Sequence, residues 1–191
     1  MFSKAISNLT HLRALWLDCL SNQNIVSRIG RLKHLRFLGL HHLQVEVLPD
    51  SITNLHYLQT VDLYSCSKLK ELPKGIKKMS NLRHLGIEDC SRLTSMPCGL
   101  GALTNLQTLP LFYVSGNQSD GTIAELQHLN QIKGELTIVG LGNVKDLKNA
   151  RDANISWSFR RSVGTTSRSI STCTRVPSAS LKSEGSRNTS V

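Results

Sequence analysis

The chain has 191 residues with a net charge of +10, and 39% of its residues are hydrophobic. No run of about 18 apolar residues occurs, which excludes a membrane-spanning helix of ordinary length. Polar residues interrupt the N-terminal segment from Ser7 onward, so we expect no secretion signal and a cytoplasmic location.

A phrase of seven residues, hydrophobic-x-x-hydrophobic-x-x-Leu, begins six times along the chain. Its first residues are Ile6, Ile29, Ile52, Ile76, Leu100 and Ile123, at intervals of 23, 23, 24, 24 and 23 residues. Units of roughly 20 to 29 residues are typical of leucine-rich repeats. We therefore predict an α/β leucine-rich-repeat solenoid over residues 1–154, with about six repeats and incomplete at both ends. Stacked units give a horseshoe with a concave parallel β-sheet.

Each unit continues with two alternating apolar residues, as one face of a strand does. In the second unit we expect Leu38 and Leu40 to face the interior, whereas Phe37 and His41 face solvent. The return segments contain proline, which lacks the amide hydrogen that a helix interior needs. The pattern thus predicts an irregular or short helical convex side.

The outward positions of these strands are the predicted partner-binding site. Exposed aromatic side chains are typical anchors at protein interfaces, and charged groups accompany them here. The alternative is that some of them only pack laterally across the sheet. The residues are Trp16, Asp18, Phe37, His41, Asp62, Tyr64, His84, Glu88 and Phe112.

The later part of the chain is less regular. Pro110 is expected to interrupt the fifth strand, and Gly134 to kink the chain before a sixth strand with altered spacing. Residues 155–191 contain 11 serines and 6 basic residues with few large apolar groups. Such a composition does not offset the entropy of ordering, so we predict a Ser/Arg-rich disordered tail.

The sequence offers no pattern for catalysis, a cofactor or a metal ion. No nucleophile motif or phosphate loop is present, so the chain is predicted not to be an enzyme and to bind no cofactor. His41 and His42 are adjacent and are expected on opposite faces of a strand, which argues against a metal site. Cys66 and Cys90 occupy the same position of successive units and are expected to pack, each offering a weak donor to a carbonyl.

The repeat consensus, clearest from Leu58 to Leu82, resembles the repeats of plant nucleotide-binding disease resistance proteins (NLRs). The segment Asn105–Gly116 is similar to the junction before the irregular repeats of the coiled-coil class, and Ile123–Asn154 to the segment that follows it. This resemblance implies an immune receptor region that recognises a pathogen effector or a host protein, contacts the receptor's nucleotide-binding domain, and contributes to defence.

Two other interpretations remain open: a free-standing intracellular repeat scaffold for signalling, and a truncated gene product without function. The basic charge also permits nucleic-acid binding. However, the lysines of the return segments lack interleaved aromatic residues for base stacking, so nucleic acid is an unlikely partner, and no membrane interaction is expected.

Overall fold

The computed structural model describes residues 9–117 and 119–144, together with the backbone of residues 157–162 and 170–175. The strands lie in two sheets. The first is parallel, in the order β1 (Ala14–Asp18), β2 (Phe37–His41), β3 (Thr60–Asp62) and β4 (His84–Gly86). The second contains β5 (Leu111–Tyr113), β6 (Glu135–Val139), β7 (Trp157–Ser162) and β8 (Ile170–Arg175), in the order β5-β6-β8-β7.

The register of the first sheet follows the repeat period. Leu15 pairs with Leu38, Leu38 with Val61, and Val61 with Leu85, so equivalent positions of successive units stand side by side. Leu38, Val61 and Leu85 are buried, and their neighbours along each strand point the other way. The predicted solenoid with a parallel sheet is confirmed. We call the solvent-facing side of β1–β4, with the turns that follow these strands, the concave face.

A residue with left-handed backbone follows each of these four strands, directly after β1 and β2 and three residues after β3 and β4. Cys19, His42, Ser65 and Asp89 have φ angles of 54°, 49°, 57° and 57°. A non-glycine residue with positive φ is uncommon, and here it recurs once per repeat. At the turn after β2, His42 contacts Asp18 of the preceding unit.

The return side is built from short helical pieces. One α-helix, α1 (Gln23–Ile29), begins after Asn22, whose side chain accepts a hydrogen bond from the Asn24 amide at 2.9 Å. The later units have 3₁₀ turns, at Asp50–Asn54, Lys74–Lys78, Leu100–Ala102, Ile123–His128 and Leu141–Asn143. The predicted irregular or short helical convex side is confirmed. No described helix has the length and apolarity that crossing a membrane requires.

Neighbouring return segments are also joined by polar contacts. The Glu125 carboxylate accepts hydrogen bonds from the amides of Gly99, at 2.8 Å, and Gly101, at 2.6 Å. These amides lie at the start of a 3₁₀ turn and have no partner within it. One carboxylate of the sixth unit therefore holds the start of the fifth.

The buried cysteines pack as the sequence predicts. Cys66 Sγ lies 3.0 Å from the Leu40 carbonyl oxygen and Cys90 Sγ lies 3.2 Å from that of Leu63. Both thiols are free and buried. The hydrogen bond with Cys66 and, to a smaller extent, burial raise the pKa of the Cys90 thiol. Cys90 therefore stays protonated and donates to the Leu63 carbonyl.

The sheet is interrupted at Pro110, as predicted. A single bridge between His84 and Thr108 continues the first sheet, and β5 begins a new one. The Pro110 carbonyl instead accepts a hydrogen bond from the Thr137 amide at 2.8 Å. The predicted sixth strand is present as β6, directly after Gly134, whose φ is +82°.

The break changes which residues of the fifth strand face the interior. One prediction made from the sequence is wrong for this reason. Phe112 was expected to face solvent, but its side chain is 0% exposed. It pairs with Ile138, which is also buried, whereas Leu111 and its partner Thr137 are only half-buried. Phe112 is thus part of the core and is removed from the partner-binding set.

Two segments beyond residue 155 differ from the expectation of a structureless tail. β8 pairs with β6 and with β7, in both cases antiparallel. The sequences of β7 and β8 contain Trp, Phe, Ile and Thr, which favour strands, and β8 pairs with the backbone groups at the edge of β6 that β5 leaves free. The rest of the predicted tail, and the predicted boundary at residue 154, lie outside the described residues.

Candidate functional site

Most of the side chains predicted to face solvent do lie on the concave face. Trp16 is 55% exposed and Tyr64 is 43% exposed, although large apolar side chains usually avoid water. The others at this surface are Asp18 and Glu88, which are exposed, and Phe37, His41, Asp62 and His84, which are half-buried.

Four rings from three repeats form one contiguous group, which we call the aromatic cluster: Trp16, Phe37, His41 and Tyr64. The Trp16 ring stacks on Phe37 with centroids 5.8 Å apart and contacts His41 at 4.1 Å. His41 in turn lies 5.6 Å from Tyr64. Gly39 makes this packing possible, because a Cβ there would lie only 3.0 Å from the Trp16 indole.

Two histidine–aspartate contacts connect successive repeats at the rim of this cluster. His41 Nε2 lies 3.0 Å from Asp62 Oδ2, and His42 Nδ1 lies 2.9 Å from Asp18 Oδ1. The hydrogen bond with His42, together with a second one from Cys19, lowers the pKa of the Asp18 carboxyl. Asp18 therefore carries its negative charge over a wider pH range than a free aspartate.

Tyr64 has an acidic environment. Hydrogen bonding to the Asp89 carboxylate, together with the charge of that group, raises the pKa of the Tyr64 hydroxyl above its ordinary value of 10.0. The charge of Glu88 acts in the same direction. The aromatic cluster thus ends at a group of carboxylates.

The raised pKa gives a testable pH dependence. A tyrosine whose pKa is raised in the folded state contributes stability that is complete below the unfolded pKa and is lost as pH rises through the folded pKa. We expect the Tyr64 resonance to titrate above pH 10 in an NMR experiment on ring-labelled tyrosine. Asp89→Asn should return its midpoint toward the ordinary value. An unchanged Tyr64 midpoint in this variant would contradict the assigned contact.

Two residues at this site were missed at the sequence level. Cys19 and His42 join Asp18 because both have left-handed backbone at the turn. The expectation that His41 and His42 point to opposite faces is therefore wrong: their rings lie 6.4 Å apart. Ligand-type atoms of Asp18, Cys19 and His42 lie within 4.8 Å of one another, and among the described residues this exposed trio is the one group that could hold a metal ion.

His84 does not join the aromatic cluster. Its Nδ1 lies 3.0 Å from the Thr108 hydroxyl of the next unit. The return side has a different character, since its lysines are exposed: Lys68, Lys70, Lys74, Lys77 and Lys78. Lys70 pairs with Glu46 at 2.8 Å, and this contact lowers the pKa of the Glu46 carboxyl.

A depression of about 930 Å³ lies on the return side and includes Lys70, Arg92, Cys98 and Asp120 in its walls. Most of its lining is polar. It therefore lacks the apolar enclosure that small-molecule sites usually have. The concave face, with its exposed rings, is the better candidate for a binding surface.

Comparison with known proteins agrees with the repeat architecture. A family model described as a leucine-rich repeat region matches residues 1–165. No curated protein sequence matches the chain.

Among solved structures, the chain is similar to the leucine-rich repeat domain of the type III effector XopL, at 21% identity and a TM-score of 0.49, over 70% of this chain and 46% of that one. A leucine-rich repeat protein of Leptospira interrogans matches at 21% identity and a TM-score of 0.44, over 66% and 43%. The plant peptide hormone receptor RGFR1, solved in complex with RGF2, matches at 17% identity and a TM-score of 0.39, over 73% and 30%. The chain spans less than half the length of each of these structures.

Proposed function

The chain belongs to the leucine-rich repeat family, whose members are general protein-interaction modules, and from this premise we propose that it binds a partner protein through its concave face. The observation that carries the proposal is the aromatic cluster. Trp16 and Tyr64 remain 55% and 43% exposed although their rings are held by neighbours on the same sheet. Rings that are ordered before binding lose little conformational entropy when a partner covers them.

The type of partner is the second part of the proposal. We infer that the chain is the repeat region of a plant NLR resistance protein and that it recognises a pathogen effector or a host protein during defence. Support comes from the two later segments, Asn105–Gly116 and Ile123–Asn154, which resemble the coiled-coil class of these receptors. In this interpretation the chain acts by binding, without catalysis or a cofactor, in the cytoplasm.

The binding surface can be tested with two substitutions. We expect the double variant Trp16→Ala, Tyr64→Ala to weaken binding of the partner by at least about 30-fold, because truncating even one aromatic anchor at an interface centre typically costs about 2 kcal/mol or more. Capture from an extract of the source tissue, quantified by mass spectrometry, measures this loss. The folded state is checked by circular dichroism.

Tyr57→Ala is the matched control, because Tyr57 is 58% exposed but lies in the loop before β3. It should capture the partner as well as the unchanged chain does. A double variant that captures the partner fully would place the binding surface elsewhere.

The receptor assignment is tested independently by the full-length transcript. The proposal expects an upstream reading frame, continuous with this chain, that encodes a GxxxxGK[ST] phosphate loop of a nucleotide-binding domain. A transcript without such a frame would favour a free-standing repeat scaffold, and the binding proposal would then stand without the immune role.

A further inference from the structure

Three side chains of the types that bind metal ions meet where the turns of the first and second units lie side by side. We call Asp18, Cys19 and His42 the donor trio. A carboxylate oxygen, a sulfur and an imidazole nitrogen of these residues all lie within 4.8 Å of one another. All three residues are exposed, and the side chains of Asp18 and His42 are 56% and 47% exposed. An ion can therefore reach these atoms directly from solvent.

The backbone holds the two turns of the trio next to each other. The Cys19 amide donates a hydrogen bond to the His41 carbonyl oxygen at 3.0 Å, so the two turns are joined across the sheet. Cys19 and His42 both have left-handed backbone, and the same conformation recurs at Ser65 and Asp89 in the next two units. The repeat thus supplies the geometry of the turn. The first and second units differ from the later ones in the donor types that they place there.

Neither turn brings a fixed positive charge to the Asp18 carboxylate. Residues 14–27 of the first unit and 37–49 of the second contain no lysine or arginine, although the chain has 23 of them. The first lysine in these turns, Lys68, belongs to the third unit. The partners that the structure gives to this carboxylate are the other two members of the trio, His42 at 2.9 Å and the Cys19 thiol. A cation that binds there does not have to displace a lysine or arginine of either turn.

We propose that the donor trio binds one Zn²⁺ ion. Thiolate, imidazole and carboxylate bind zinc at about 2.0–2.3 Å, which places the donors of a tetrahedral site about 3.4–3.6 Å apart. Small rotations of the three exposed side chains reach these separations. The thiolate disfavours Mg²⁺ and Ca²⁺, which prefer oxygen donors, whereas the mixed set of sulfur, nitrogen and oxygen suits zinc. Three protein donors leave the fourth position of the ion for water.

Binding of the ion displaces protons from the trio. The Cys19 thiol gives its proton to solvent and binds as the thiolate. His42 binds as the neutral tautomer with its proton on Nε2, so the ion takes the place of the hydrogen between Nδ1 and the Asp18 carboxylate. The ion then links the turns of the first two units beside the aromatic cluster, since the His42 and Tyr64 ring centroids are 6.2 Å apart. This inference goes beyond the proposed function and needs no partner protein.

The test uses Co²⁺ as a spectroscopic probe and Zn²⁺ as its competitor, with the full chain kept reduced. Cobalt bound to a thiolate has a charge-transfer absorption in the near ultraviolet, which cobalt bound only to oxygen and nitrogen lacks. We expect this band to saturate at one Co²⁺ per chain and to disappear as Zn²⁺ is added. A chromophoric chelator that competes for Zn²⁺ then measures the zinc affinity of the chain and of its variants.

Cys19→Ser and His42→Asn remove one donor each and keep the turn. Serine already occupies the equivalent left-handed position of the third unit, as Ser65, and asparagine is among the residues that adopt this conformation most readily. Each variant should bind Zn²⁺ at least about tenfold more weakly, because loss of even an outer-shell partner of a metal site typically costs that much. Cys19→Ser should also lose the charge-transfer band. Circular dichroism checks that both variants fold.

Cys98→Ser and His56→Ala are the matched controls, because both residues are exposed and lie outside the trio. Cys98 lines the depression on the return side, and His56 lies in the loop before β3. Both controls should bind Zn²⁺ as tightly as the unchanged chain does. The absence of a charge-transfer band with Co²⁺, or a band that persists in Cys19→Ser, would overturn the proposal. Unchanged zinc affinity in His42→Asn would do the same.

Discussion

Replacing Phe112 with alanine is expected to lower the free energy of unfolding by about 3–5 kcal/mol, the usual range for truncating a fully buried aromatic ring. Phe112 is among the largest side chains with essentially no exposure, and it lies opposite Ile138 where β5 and β6 join. Its removal leaves a cavity between the two units that follow the break at Pro110. Urea unfolding followed by circular dichroism measures the change.

Phe112→Leu separates packing from any role in binding, because leucine fills most of the volume and is expected to recover much of the lost stability. Tyr57→Ala removes an aromatic side chain that is 58% exposed and should change stability by less than about 0.5 kcal/mol. A Phe112→Ala chain as stable as the unchanged protein would return this ring to the surface, where the sequence had placed it.

Leu85→Ala is expected to cost about 2–5 kcal/mol, because Leu85 is only 1% exposed. It is the inward residue of β4 and pairs with Val61 of the preceding unit. A repeat cannot bury its apolar edge without its neighbours, so a cavity in β4 weakens the contact with units on both sides. The unfolding midpoint in urea should fall accordingly.

The same substitution at Leu9 provides the comparison, since this leucine is 49% exposed. Leu9→Ala should shift the stability by less than about 0.5 kcal/mol. Equal effects at the two positions would mean that the repeats do not share one packed interior.

The repeat period was sufficient to predict the core and the sheet of the first four units. Because equivalent leucines recur every 23 or 24 residues, they must stack in columns, and the pairing of Leu15, Leu38, Val61 and Leu85 follows from that spacing. The period also placed Trp16 and Tyr64 on the outward side. The alternation of apolar and polar residues along a strand decides which face of the sheet each residue occupies. For the first four strands this alternation predicted the faces correctly.

The prediction for Phe112 failed where the alternation was interrupted. Pro110 donates no hydrogen bond, so the chain leaves the first sheet, and the next strand begins with a different residue facing inward. The apolar run Leu111-Phe-Tyr-Val was the available signal, because such a run does not alternate. This run indicated that the earlier repeats do not predict which residues of β5 face the interior.

The other features that were missed depend on contacts between repeats. His42 meets Asp18 because a left-handed turn follows β2, and sequence gives little sign of positive φ at a histidine.

The central claim, that a partner covers the aromatic cluster of the concave face, is tested most directly by hydroxyl-radical footprinting of the complex. Trp and Tyr side chains are oxidised when solvent reaches them, and Trp16, Tyr64 and Tyr57 are all exposed in the free chain. With the partner bound, oxidation of Trp16 and Tyr64 should fall while that of Tyr57 is unchanged. Oxidation of Trp16 and Tyr64 at the rate of the free chain would contradict the claim.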